Sequence, residues 1–169
     1  MDQNTILFSP LELAGLRLKN RITMAPLFLG YAHADGTVSP PLLDHYRVMA
    51  MSGAAMIVVE NAALHPSGLG SPFVLRIDED KYLSGLSTLA KAIQKEGALA
   101  VLQINHAGRY AFTPERIAPS PVPTGDVVPR EMTVEEIHLM ADDYASAARR
   151  VKEAGFDGVE IHGGTGYLL

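Results

Sequence analysis

A chain of 169 residues has room for one domain around a single hydrophobic core. Apolar residues at 47% and charged residues at 20% exclude a disordered tail, and a net charge of −5 leaves no basic footprint for nucleic acid or an anionic membrane surface. The absence of cysteine excludes disulfides, thiolate metal sites and a cysteine nucleophile, and suits a reducing, cytoplasmic setting.

Met1 to Thr5 are polar, with no cationic stretch leading into an apolar one, so no signal peptide is expected. Apolar runs such as Ala54 to Val59 are too short to span a membrane. Leu11 to Leu18 alternates around Ala14-Gly15 and predicts a small hairpin. Ile22 to Phe28 reads as a short strand that ends near Pro26. Ser39 and Pro40 open a helix with Leu43, Tyr46 and Ala50 on its buried face, closed by Gly53. Met56 to Val59 is the next strand. Lys81 to Glu96 is a helix with Leu86, Leu89, Ala90 and Ile93 inward, closed by Gly97, and Leu99 to Ile104 is the third strand. Ala107 to Met132 is a long connection with five prolines, and connections of that kind serve as lids or binding loops. Thr133 and Glu136 form a capping-box pair at the head of the longest helix, which buries Ile137, Met140, Ala141, Tyr144, Ala148 and Val151 and ends at Gly155. Gly158 to Ile161 is the fourth strand. Met24, Met49, Met51 and Met56 read as core filler.

Strand and helix alternate four times, and short apolar strands of this kind belong to a parallel sheet covered by helices. Two architectures fit: an open doubly wound sheet and a (β/α)8 TIM barrel. The turn after the Ile22 strand, Pro26 to Tyr31, has no G-x-G-x-x-G, which favours the barrel. The expected fold class is therefore α/β, with the hairpin and roughly the first four βα units of such a barrel.

In that architecture the chemistry sits at the C-terminal ends of the strands. Those ends read Pro26-Leu27-Phe28, then Glu60-Asn61-Ala62, then Gln103 with His106, then His162. The amides of Asn61 and Gln103 donate and accept at once, which suits a heterocycle with alternating carbonyl and N–H groups, such as the pyrimidine edge of a flavin. Pro26 and Phe28 offer apolar contact to a flat ring. The bland alternatives stand beside these: both amides tying down loop backbone, His106 as a structural group at a chain turn, Glu160 in a structural ion pair inside the barrel, and Tyr46 and Tyr144 as packing. No lysine sits at a strand end for Schiff-base chemistry, no metal-ligand spacing joins His106, His162 and Glu60, and there is no G-x-S-x-G elbow.

At the same strand ends the sequence resembles the Old Yellow Enzyme family of FMN-dependent NAD(P)H:flavin oxidoreductases. The resemblance rests on Lys19 to Pro26, on Gln103-Ile104-Asn105-His106-Ala107-Gly108-Arg109, on Ala118 to Pro121, on Arg130 to Thr133, on Glu153 to Gly163 and on Gly166 to Leu169, in order and in spacing. It implies that Pro26, Leu27, Phe28 and Asn61 line FMN and that Gln103 bonds its pyrimidine ring. His162 would be the first of two residues binding the substrate's carbonyl oxygen. Thr165 stands at the second position, where the family usually has histidine or asparagine. Phe28 stands where a threonine or cysteine commonly tunes the flavin, and Gly30 where some members have a tyrosine. Tyr167 would be the proton donor. The implied reaction passes hydride from NADH or NADPH through the flavin to an activated alkene of a small-molecule substrate, with no nucleic acid or membrane partner.

Barrels of this type run to ~250 residues and hold phosphate on the loops after strands seven and eight. The expectation is one domain over 1–169 forming the N-terminal half of a flavin-binding barrel. The alternative is a truncated, non-catalytic half-barrel that self-associates into a homo-oligomer and binds FMN weakly or not at all.

Overall fold

The computed structural model describes residues 6–169; the polar Met1 to Thr5 lie outside the described residues. Strands β1 (Leu11–Leu13) and β2 (Leu16–Leu18) form the antiparallel hairpin, and its turn places Ala14 and Gly15 at φ 49° and 82°, which is what a two-residue loop between twisted strands requires. The main sheet is parallel, in the order β3 (Thr23–Met24), β4 (Met56–Ala63), β6 (Leu99–Asn105), β9 (Gly158–Ile161), with the short β5 (Leu75–Arg76) against the end of β4. Between them run α1 (Pro40–Ala50), α2 (Leu83–Lys95) and α3 (Val134–Glu153). None of these helices is long and apolar enough to cross a membrane.

The helix ends follow local chemistry. The Ser39 hydroxyl accepts the Leu42 N–H at 3.2 Å, and the Thr133 hydroxyl and Glu136 carboxylate exchange backbone bonds as a capping box. The core lies between the helices and the outward face of the sheet: Leu42, Tyr46 and Ala50 of α1, Leu86, Leu89, Ala90 and Ile93 of α2, and Met140, Ala147 and Val151 of α3 pack with Ile57, Val59, Ala100, Leu102 and Ile104. Side chains alternate across a strand, so Val58, Val101 and Gln103 face the opposite, concave side.

Several expectations needed correction. The first strand is paired only over Thr23–Met24, because Pro26 has no N–H to offer a ladder. Strand β4 runs four residues past Val59 and carries a register shift between Val59 and Ala62. On α1 the fully buried position is Leu42, with Leu43 half-buried. On α3 Ile137 and Ala141 are exposed and Ala147 is buried instead, since the helix meets the sheet along a narrower stripe than its apolar content suggests. Met51 lies past the end of α1 and is exposed rather than core filler. Within the proline-rich connection, β7 (Ile117–Ala118) pairs in parallel with β8 (Arg130–Glu131), and Arg130 clasps Glu115 and Glu136.

Candidate active site

The strand ends bring two groups of side chains together. In the first, the register shift in β4 falls at Glu60 and Asn61. A bulge turns successive side chains away from strict alternation. Glu60 is fully buried, and its Oε2 accepts the Leu29 N–H at 2.7 Å, tying down the segment that carries Pro26, Leu27 and Phe28. Asn61 lines a small cavity of about 70 Å³ together with Phe28 and Tyr167. Leu27 and Phe28 are 62% and 46% exposed, an apolar surface standing open at the mouth.

The second group is a hydrogen-bonded row across β6 and β9. Gln103 Nε2 donates to Glu160 Oε1 at 2.7 Å and stands 3.5 Å from His162 Nδ1. A carboxylate only accepts, which fixes the Gln103 amide with its nitrogen toward Glu160. The expected ion pair of Glu160 is thus a hydrogen bond to a neutral amide. The Thr165 hydroxyl donates to the Gly164 carbonyl at 2.7 Å and so accepts from His162 Nε2 at 3.1 Å. His162 Nε2 therefore carries a proton and donates it to Thr165. The Tyr167 ring stands edge-on to it, with centroids 5.0 Å apart.

His106 is structural. The Gly108 N–H donates to its Nδ1 at 3.0 Å, which leaves the proton on Nε2 for the Ser67 hydroxyl at 3.0 Å. Ser67 in turn lies 2.7 Å from His65 Nδ1. Burial, helped by the nearby His65, holds the His106 pKa down at about 4. Burial pushes the Glu60 carboxyl up to about 7, against the lowering effect of the Leu29 N–H. Sequence reasoning missed Glu60 as the tether of the segment that carries Pro26, Leu27 and Phe28. Its signal was an acidic residue inside an otherwise apolar strand, Val58-Val59-Glu60.

Comparison with known proteins decides what this mouth belongs to. Residues 6–169 match the NADH:flavin oxidoreductase / NADH oxidase family. The chain belongs to that family. It is 43% identical to a metal reductase of Desulforamulus reducens over 98% of this chain and 25% of that protein, and 41% identical to an NADH oxidase of Thermoanaerobacter brockii over 96% and 26%. It is also 39% identical to an NADPH dehydrogenase of Geobacillus thermodenitrificans over 98% and 50%. The chain thus spans about a quarter to a half of the length of these relatives. Among solved structures it superposes on 2-naphthoyl-CoA reductase with a TM-score of 0.92 at 28% identity, covering 98% of this chain and 28% of that one. It superposes on the old yellow enzyme homologue from Zymomonas mobilis with 0.88 at 32%, covering 96% and 49%.

The parallel sheet and its helices are therefore part of an Old Yellow Enzyme-type (β/α) barrel. The family consists of oxidoreductases that use FMN with NADH or NADPH as reductant. The donor set of this member fits the ring of such a cofactor. Gln103 is 8% exposed and makes no protein bond through its carbonyl oxygen among the described residues. At the ends of the neighbouring strands lie the Asn61 amide and the exposed apolar surface of Leu27 and Phe28. A flat, polar-edged heterocycle satisfies both demands.

Proposed function

We propose that this chain supplies the ring-facing half of an FMN site in an NAD(P)H-dependent oxidoreductase that reduces activated alkenes or similar small electrophiles in a cytoplasmic setting. The observation that carries the reading is the row Gln103–His162–Thr165 with Tyr167 edge-on to His162, at the same strand ends as Phe28 and Asn61. FMN, when bound, accepts and delivers hydride. Pro26, Leu27, Phe28 and Asn61 would line its ring, and the Gln103 carbonyl would accept from its pyrimidine edge.

The chain's own residues would do the rest. His162 Nε2–H and the Thr165 hydroxyl would bind the electrophile's carbonyl oxygen, stabilising the negative charge that grows there. Both donors are engaged in the structure, His162 with Thr165 and Thr165 with Gly164. An incoming oxygen therefore has to break that pair, which makes this clamp weaker than one with two free donors. The Tyr167 phenol would hold the proton for the electrophile's α-carbon as a general acid. A relative 41% identical, the NADH:acrylate oxidoreductase of Vibrio harveyi, is named for an activated alkene, which supports this class of electrophile.

The test is anaerobic reduction of the FMN-loaded protein by NADH or NADPH, followed by reoxidation with an α,β-unsaturated ketone or acid. Tyr167→Phe is expected to slow reoxidation by ~10²-fold or more, the usual contribution of a positioned acid, and to slow it more than reduction. Equal slowing of both halves would remove Tyr167 as the donor. A protein that binds no FMN would sink the reading as a whole.

A second reading rests on the sheet edges. Strands β3 and β9 pair on one side only among the described residues, and Val159 and Ile161 on the outer face of β9 are 39% and 55% exposed. Such an edge pairs with whatever polypeptide offers a strand. Pairing of these edges with a further stretch of polypeptide, from the same barrel or from another copy, is the form this reading takes.

A further inference from the structure

The arginines of this acidic chain are mostly neutralised: Arg47 by Asp44, Arg76 by Asp78, Arg130 by Glu115 and Glu136, Arg149 by Glu153 and Arg150 by Asp80. Arg109 and Arg116 have no carboxylate in ion-pair range among the described residues, and they stand together, with Arg116 Nη1 donating to the Arg109 carbonyl at 3.3 Å. That bond sets the Arg116 guanidinium against the Arg109 backbone, and an uncompensated guanidinium raises the local positive potential and attracts an anion.

The seat of Arg109 is built by two glycines. Gly108 has φ +56°, and a Cβ there would lie 2.8 Å from the Leu168 nitrogen, so the segment carrying Tyr167 rests directly on the turn that carries Arg109. A Cβ at Gly166 would lie 2.5 Å from Arg109 Nη2. Arg109 Nε donates to the Gly166 carbonyl at 3.1 Å, and its guanidinium lies 5.2 Å from the Tyr110 ring centroid. Nη1 and Nη2 make no hydrogen bond to the protein among the described residues. From Tyr110 an aromatic row leads inward, 5.7 Å to Tyr167 and a further 5.0 Å to His162.

We propose that Arg109, backed by Arg116, binds a phosphate group on the distal part of a molecule whose reacting end lies at His162 and Tyr167. This rests on the flavin reading above. Arg109 touches Tyr110 and the Gly166 carbonyl rather than His162, so an anion on its free Nη atoms belongs to a part of the ligand other than the end held at His162. The planar guanidinium fork matches two phosphate oxygens at once. Two sources share this chemistry: the diphosphate of the pyridine dinucleotide, and that of an electrophile carried as a coenzyme A thioester.

The experiment is a calorimetric titration of the purified protein, with and without added FMN, using ADP-ribose and coenzyme A. Neither probe has a nicotinamide or an alkene to react. Arg109→Gln is expected to weaken at least one of them tenfold or more, and Arg109→Lys less. Loss of ADP-ribose binding assigns the phosphate to the dinucleotide, and loss of coenzyme A binding assigns it to the electrophile. In the dinucleotide case, the ratio of kcat/KM for NADH or NADPH to that for phosphate-free 1-benzyl-1,4-dihydronicotinamide falls tenfold as well. If Arg109→Gln does not fold, Gly166→Ala pushes the guanidinium from its seat without removing the charge and is expected to weaken the same probe. Wild-type protein that binds neither probe, or a variant that binds both as wild type does, overturns the proposal. Failure to bind FMN sinks the flavin reading alone, because the titrations read phosphate binding without it.

Discussion

Thr165 carries an unusual backbone for its type. Its φ is +60°, in the left-handed region that β-branched residues avoid, and it is held there between Gly164 and Gly166 with its hydroxyl turned back onto the Gly164 carbonyl. Strain of this kind costs roughly 1–3 kcal/mol. Asparagine tolerates the same conformation and carries an amide donor. Thr165→Asn is therefore expected to raise the unfolding midpoint and to lower KM for an enone, as read by thermal melts and steady-state kinetics on one preparation. A lower midpoint would show that the Thr165–His162 bond outweighs the strain. His162, Thr165 and Tyr167 stood out in the sequence as candidates, and the structure brings them into contact with one another. That the donors of His162 and Thr165 are spent on each other was not legible there, because their spacing says nothing about where each hydrogen points.

The β4 bulge sets the acid–base character of the mouth. Glu60 has a raised native pKa of about 7, so the native state prefers its protonated form. Its contribution is complete below the unfolded-state value of 4.5 and is lost as pH rises through about 7. The loss is on the order of 3 kcal/mol by linkage. Glu60→Gln is expected to flatten the stability profile between those limits in denaturant titrations; a profile as steep as that of the wild type would mean that Glu60 is already ionised in the native state. His106 has the opposite sign. Its depressed value of about 4 keeps it neutral, so its contribution holds above the unfolded value of 6.5 and is lost as pH falls through about 4. At the head of α3, Thr133→Ala removes a capping-box acceptor and is expected to cost about 1 kcal/mol in the same titrations. That cap and the stripe of α2 were readable from the sequence because they are local, within one or two helical turns. The bulge was not, since it depends on β6 lying alongside.

At the scale of the whole molecule, the open sides of β3 and β9 and the exposed Val159 and Ile161 are where a further strand would pair. Where another copy supplies that strand, light scattering over a range of concentrations shows a mass above that of one chain, and Ile161→Lys lowers it. A single-chain mass at every concentration would leave no role for that edge in self-association. The alternation of strands and helices, the helix ends and the chemical types at the strand ends were determined by the sequence alone. Each follows from periodicity, capping or side-chain chemistry acting over a few residues. Only the tertiary structure decided the rest: the burial of Glu60 against Leu29, the choice of Ala147 over Ile137 as core, the bond between Gln103 and Glu160, and the meeting of Arg109 with the Tyr167 segment. These depend on which distant segments share a surface, and burial and the pairing of polar atoms are properties of that shared surface rather than of any one stretch of chain.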